Sequence, residues 1–136
     1  MIIVVDSDGL IGISHEDDTH YHRCRELLKW LSQRNAELIY PATTIAESIS
    51  ILQIRLNSPK TADKILEFVK SGIFDIEPVD RTTLVTATSF LKASRSKHAT
   101  LFDAIVAAIA QKYQADAIFS FDKFYKSKGF KLAPEL

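Results

Sequence analysis

Apolar and polar positions change their period several times along the chain, and each change marks an element. Ile2-Ile3-Val4-Val5 is a wholly apolar, β-branched run that stops at Asp6, the pattern of a strand buried on both faces. Leu10 to Ile13 reads as a short helix and His15 to Asp18 as a polar break. From Thr19 a helix follows, with Cys24, Leu27, Leu28 and Leu31 at helical spacing. Glu37 to Tyr40 is a second strand closed by Pro41, and the recurrence of Ile45, Ile49, Leu52 and Leu56 predicts the next helix. Another is announced by Ser58 at the cap, Pro59 at the first helical position and Gly72 past the end.

The second half continues the alternation. Phe74 to Val79 is a third strand, and Asp80 caps a helix that fades near Ala93. Ser94 to Ala99 is a polar, basic loop, and Thr100 opens an Ala-rich helix to about Gln114. Ala117 to Phe121 is a fourth strand and Phe130 to Leu132 a short fifth. Strands alternating with helices predict an α/β sandwich around a mostly parallel sheet. With 136 residues, no internal repeat and no linker, residues 1–136 form a single domain.

Composition narrows the class. At 46% hydrophobic and 25% charged, the chain is neither disordered nor fibrous. Its longest apolar run, Ala104 to Ala110, is far below the roughly 20 residues of a membrane span. The N-terminus lacks the basic start of a signal peptide. A single cysteine, Cys24, sits on the apolar face of its helix, reads as core and fits a reducing cytoplasm. The net charge of zero hides an asymmetry: residues 1–80 hold 8 basic and 13 acidic side chains, residues 81–136 hold 9 and 4. That gives no support for bulk nucleic-acid affinity but leaves room for a local basic rim.

Four acids stand at positions able to converge on one cleft. Asp6 ends the first strand and Asp122 follows the fourth, where ligands of parallel sheets bind. Glu47 and Asp103 lie in the first turns of helices, three residues after Thr44 and Thr100. Each has a structural explanation taken singly: capping boxes for Glu47 and Asp103, a helix cap for Asp6, an Asx-turn or cap for Asp122. If they converge, their repulsion calls for a cation, and hard carboxylate oxygens suit Mg²⁺ or Mn²⁺. His15, His20 and His22, with Glu16, Asp17 and Asp18, lack the regular spacing of a zinc site and read as a solvated, partner-facing segment.

Four motifs together resemble the PIN-domain family, the metal-dependent ribonucleases that include VapC-type toxins. They are Ile3-Val4-Val5-Asp6, Ala46-Glu47 after the Tyr40-Pro41 turn, Leu101-Phe102-Asp103-Ala104-Ile105-Val106-Ala107, and Ser120-Phe121-Asp122-Lys123-Phe124. The resemblance spans essentially the whole chain and implies a three-layer α/β/α sandwich. It further implies hydrolysis of RNA phosphodiester bonds by a metal-activated water. Asp6 and Asp103 would be the principal ligands, with Glu47 and Asp122 completing the cluster and Ser120 the small hydroxyl before the last acid. It also implies an RNA substrate, a small antitoxin partner if the chain is the toxin of a type II pair, and a homodimer. For the dimer, the apolar residues Ile49, Ile51, Leu52 and Ile54 supply the candidate surface.

The candidate basic rim is Arg95, Lys97 and His98 before the Asp103 helix, and Lys123, Lys126 and Lys128 after Asp122. Phe121, Phe124 and Tyr125 interleave with these lysines and could stack on bases; equally, the aromatics could be core and the lysines a solvated face. One residue departs from the family pattern. Where a small Ser or Thr is common, two positions after the first acid, this chain has Asp8. An extra carboxylate there could supplement the metal site or simply face solvent; because Asp8 should already be starting the next helix, the expectation is that it faces solvent.

Two rival readings stay open. Val5-Asp6-Ser7-Asp8-Gly9 looks like the first motif of haloacid-dehalogenase-type phosphatases, with Asp6 as nucleophile, but the late acidic pair of that family has no counterpart here. The other rival is a catalytically silent module that only binds RNA or protein.

Overall fold

The computed structural model describes residues 1–92 and 99–136. In chain order the elements are β1 (Ile2–Val5), α1 (Ser7–Ser14), α2 (Tyr21–Ser32), β2 (Glu37–Pro41), α3 (Ala42–Ser50), α4 (Pro59–Ser71), β3 (Asp75–Glu77), α5 (Arg81–Lys92), α6 (Leu101–Lys112), β4 (Ala117–Phe119) and α7 (Lys123–Ser127). The four strands pair in parallel in the order β3-β2-β1-β4. Helices cover both faces, so the predicted three-layer sandwich is the architecture observed.

Alternation along β1 sends successive side chains to opposite faces. Ile3 and Val5 join Leu10, Leu31, Leu52 and Ile65 in one core. Val4 joins Ile105, Ile109 and Ile118 in the other. A strand apolar at every position is therefore what two cores require. The Ala-rich stretch of α6 is buried from Ala104 to Ala110. α4 begins with Pro59 and ends at Gly72, whose left-handed φ of 76° is accessible to glycine at little cost.

Two expectations are corrected and a third lies outside the described residues. The predicted fifth strand reduces to a single bridge between Ile118 and Leu132. Beyond it Ala133–Glu135 turns into a 3₁₀ helix, and Pro134 has no N–H to extend a ladder. The polar loop from Ser94 to Ala99, with its candidate contacts Arg95, Lys97 and His98, falls outside the described residues except for Ala99. Finally, the surface suggested for a dimer is mostly core. Leu52 is fully buried and Ile49 and Ile51 pack against the core, leaving Ile54 as the exposed member at 78%. After Ser50 the helix continues as a π-helical turn, Ile51–Arg55, which changes the angular step that a regular helix would give these side chains.

Strand order places the site. From β1 the chain builds outward through β2 and β3, then returns to the opposite side of β1 with β4. The crevice at such a reversal, outside the carboxyl ends of β1 and β4, is where open parallel sheets bind ligands. Asp6 stands at the end of β1 and Ser120 to Asp122 follow β4; the Asp6 N–H donates to the Phe119 carbonyl at 3.2 Å. The start of α1 is pressed against this junction. A Cβ on Gly9 would lie 2.3 Å from the Phe119 carbonyl oxygen, so only glycine fits there.

Candidate metal centre

Asp6 is 4% exposed and caps α1. Its Oδ1 accepts the Ser7 N–H at 2.7 Å, and its Oδ2 accepts the Tyr125 hydroxyl at 2.7 Å. The Ser120 hydroxyl lies 3.4 Å from the same Oδ2. Burial, and after it the charge of Asp8, holds the Asp6 carboxyl well above the usual range despite the hydrogen bonds from Tyr125 and Ser7. Tyr125 is fully buried, and burial together with the charges of Asp6 and Asp103 pushes its phenol well up. It is therefore a hydrogen-bond donor to the carboxylate, not a platform for bases. Its place in the sequence, three residues after Asp122 on a short helix, gives no sign of that role.

The expectation that Asp8 faces solvent is overturned. α1 begins at Ser7, which makes Asp8 the second helical residue, and side chains of a helix lean toward its N-terminus. That direction leads back to the sheet. Asp8 Oδ2 accepts the Phe121 N–H at 2.8 Å and the Ser120 hydroxyl at 3.0 Å, while Oδ1 accepts the Gly9 N–H at 2.8 Å. Burial raises its carboxyl from the usual value, against the hydrogen bonds from Phe121, Ser120 and Gly9. The signal available in the sequence was an acid at the second position of a helix starting directly from a buried strand.

Glu47 does not form the anticipated capping box. α3 begins at Ala42, and the Thr44 hydroxyl donates instead to the Val5 carbonyl at 3.0 Å. Burial raises the Glu47 carboxyl; a hydrogen bond from the Ser7 side chain opposes this, and the charges of Asp103 and Asp8 add to it. Asp103 does form the expected capping box with Thr100, its Oδ2 accepting the Thr100 N–H at 2.9 Å. Burial raises it as well, countered by Thr100 and reinforced by the charge of Asp122. Asp122 caps α7 through the Phe124 N–H at 2.9 Å, and its own N–H donates to the Ser120 hydroxyl at 3.1 Å.

All four predicted acids, with Asp8, thus lie within one another's electrostatic field at one end of the sheet. They do not share a single coordination shell: among the described residues, no three His, Cys, Asp or Glu side chains are close enough to hold an ion. Their capping bonds explain the spacing, because Asp103 is turned toward Thr100 and Asp122 toward Phe124. None of the three ion pairs among the described residues, Lys70–Glu67, Lys112–Glu77 and Lys126–Glu135, reaches these acids. A buried carboxylate with like-charged neighbours and hard oxygen donors suits a divalent cation. Asp6 and Asp103 would hold it, with Glu47 and Asp122 at its periphery.

The other candidates separate. Ser120 is buried and links Asp8 to Asp122. Lys123 is exposed at the first position of α7, whereas Lys126 pairs with Glu135 at 3.1 Å. The ring of Phe121 stacks on His20 with centroids 3.8 Å apart and planes at 10°, and the Arg23 guanidinium lies 5.3 Å from its centroid. That contact also gives His20 a place beside the site which its sequence surroundings did not suggest. Cys24 is fully buried, as expected for a core thiol, and burial pushes its pKa up to about 12.

Comparison with known proteins bears on the fold and the family. The solved structure of VapC20 from Mycobacterium tuberculosis, a sarcin–ricin loop cleaving toxin, superposes with a TM-score of 0.81 at 18% identity, over 94% of this chain and 95% of that one. FitAcB from Neisseria gonorrhoeae gives 0.70 at 18% identity, over 98% of each chain. At such identity the likeness establishes the fold alone. No curated protein sequence matches the chain significantly. The profile of the PIN domain, however, matches residues 3–131, from β1 to just short of the bridge residue Leu132, and the chain belongs to the PIN domain family.

Proposed function

We propose that this PIN domain is a divalent-cation-dependent endoribonuclease that hydrolyses RNA phosphodiester bonds, and that it serves as the toxin of a type II toxin–antitoxin pair in the cytoplasm. The observation that carries the reading is Asp6: a buried carboxylate at the sheet's switch point, in the field of Asp8 and Asp103 and with no ion-pair partner among the described residues. PIN domains are typically nucleases, and the toxin reading draws on the fold shared with VapC20.

When bound, Mg²⁺ or Mn²⁺ would lower the pKa of a water and neutralise charge on the transferring phosphoryl group. The chain's own part is positional. Tyr125 and the Ser7 N–H fix both oxygens of Asp6, so the carboxylate loses little freedom on meeting a cation. Thr100 does the same for Asp103. Lys123, exposed next to Asp122, is a candidate contact for a phosphate backbone approaching the acids. Arg95 and Lys97 remain candidate backbone contacts on sequence grounds, as does Lys126 once released from Glu135. An antitoxin and a second copy of the chain are the expected protein partners.

The test is cleavage of a mixed RNA pool with Mg²⁺ or Mn²⁺. Fragments with 5′-phosphates are expected, and a chelator or Asp103→Asn should lower the rate by about 100-fold or more while circular dichroism stays native. Equal cutting in chelator, or by the folded variant, overturns the reading.

A further inference from the structure

Asp8 is the acid that the family resemblance leaves unexplained, and its surroundings are the most fully specified in the site. Both of its oxygens are engaged: Oδ1 by the Gly9 N–H at 2.8 Å, Oδ2 by the Phe121 N–H at 2.8 Å and the Ser120 hydroxyl at 3.0 Å. The donors come from the two segments that meet at the switch point, the start of α1 and the turn after β4. They lie 112 and 113 residues from Asp8 in sequence for Ser120 and Phe121. With its hydrogen directed to Asp8, the Ser120 oxygen presents a lone pair to the Asp122 N–H at 3.1 Å.

We propose that Asp8 is a positioning residue for the metal centre: it clamps the turn after β4 to the start of α1 and, through Ser120, sets the place of Asp122. It acts by accepting hydrogen bonds and is not itself an ion ligand. The proposal rests on the nuclease reading for its catalytic consequence, while the clamp itself is a property of the protein without metal. A hydroxyl or amide two residues after Asp6 could meet part of this demand, but only a group with two acceptor oxygens holds all three donors at once.

Asp8→Asn and Asp8→Ala separate hydrogen bonding from charge, because both remove the same negative charge and differ in acceptor capacity. The asparagine oxygen can still take the Ser120 and Phe121 donors; alanine takes none. Three measurements apply to the full chain. Amide exchange without metal should leave Phe121 and Asp122 protected in wild type and Asp8→Asn, and at least about tenfold faster in Asp8→Ala. Mn²⁺ affinity by calorimetry and RNA cleavage should both be about tenfold better in Asp8→Asn than in Asp8→Ala. Equal Mn²⁺ affinity and equal cleavage in the two variants, both far below wild type, would mean that Asp8 works through its charge, and the proposal fails. Asp8→Ala matching wild type in all three also overturns it. If wild type itself neither binds Mn²⁺ nor cuts RNA, the nuclease reading fails; unchanged exchange in Asp8→Ala then refutes the clamp separately, and the expected exchange pattern sustains it.

Discussion

Glu77, the last residue of β3, and Asp6, one residue beyond β1, are buried carboxylates at the same edge of one parallel sheet. Glu77 accepts a hydrogen bond from the Lys112 ammonium at 2.7 Å and another from the Tyr113 hydroxyl. Burial alone would raise its carboxyl; the bonds from Lys112 and Tyr113 outweigh that and hold it below the usual value. Asp6 has neutral donors only, and its nearest charges are Asp8 and Asp103, so its carboxyl moves the other way. A buried acid that the chain has already neutralised is a structural fastening. One left among like charges is neutralised only by a proton or an external cation, and that difference, not burial or position, singles out the Asp6 end as the candidate site.

The largest expected effect breaks the comparison along function. Asp6→Asn should lower RNA cleavage by about 100-fold or more, while Glu77→Gln leaves it within about twofold. Comparable losses in both would remove the distinction. A smaller effect, of opposite sign at the two sites, concerns stability in chelator at neutral pH. Glu77→Gln weakens the pair with Lys112, whose ammonium is solvent-exposed, and should lower the urea midpoint modestly. Asp6→Asn relieves a buried, unneutralised charge and should unfold at higher urea than wild type.

The smallest effect is the slope with pH, and its sign follows from the directions. Asp6 binds its proton more tightly folded than unfolded, so in the window above its ordinary value of 3.8 the folded chain holds the extra proton. Stability of the metal-free protein should therefore rise as pH falls through the folded-state value of Asp6 toward its ordinary one, and Asp6→Asn should flatten that rise. Glu77 contributes in the opposite sense. Its stabilisation is complete above its ordinary 4.5 and is lost only at lower pH, so Glu77→Gln should leave the slope near neutrality unchanged. A melting temperature that falls on acidification through this window contradicts the account of Asp6.

Some of the site was legible from local pattern. A strand apolar at every residue and ending in an acid located β1 and Asp6, because burial on two faces leaves no other reading of Ile2 to Val5. Ser58-Pro59 and Gly72 marked α4, since proline and glycine act through their own backbone geometry. The Thr100–Asp103 box was legible for the same reason: both partners lie within one turn. Glu47 was misassigned to a box with Thr44 because that hydroxyl has a competing acceptor, the Val5 carbonyl, 39 residues away. Leu52 and its neighbours were assigned to a surface because the π-helical turn alters the periodicity from which faces are inferred.

Sequence by itself determined the order of elements, the two-sided burial of β1 and the kinds of side chain available for chemistry. These depend on period, backbone restriction and composition, which act over a few residues. Tertiary structure alone decided that Asp8 turns inward and that the Tyr125 hydroxyl meets Asp6 across 119 positions. It also decided that Lys112 reaches Glu77 while no such partner, among the described residues, reaches Asp6. The first two hang on β4 returning beside β1 and the third on α6 packing across to β3, placements set by the whole sheet, and no local pattern encodes which polar atoms will then face one another.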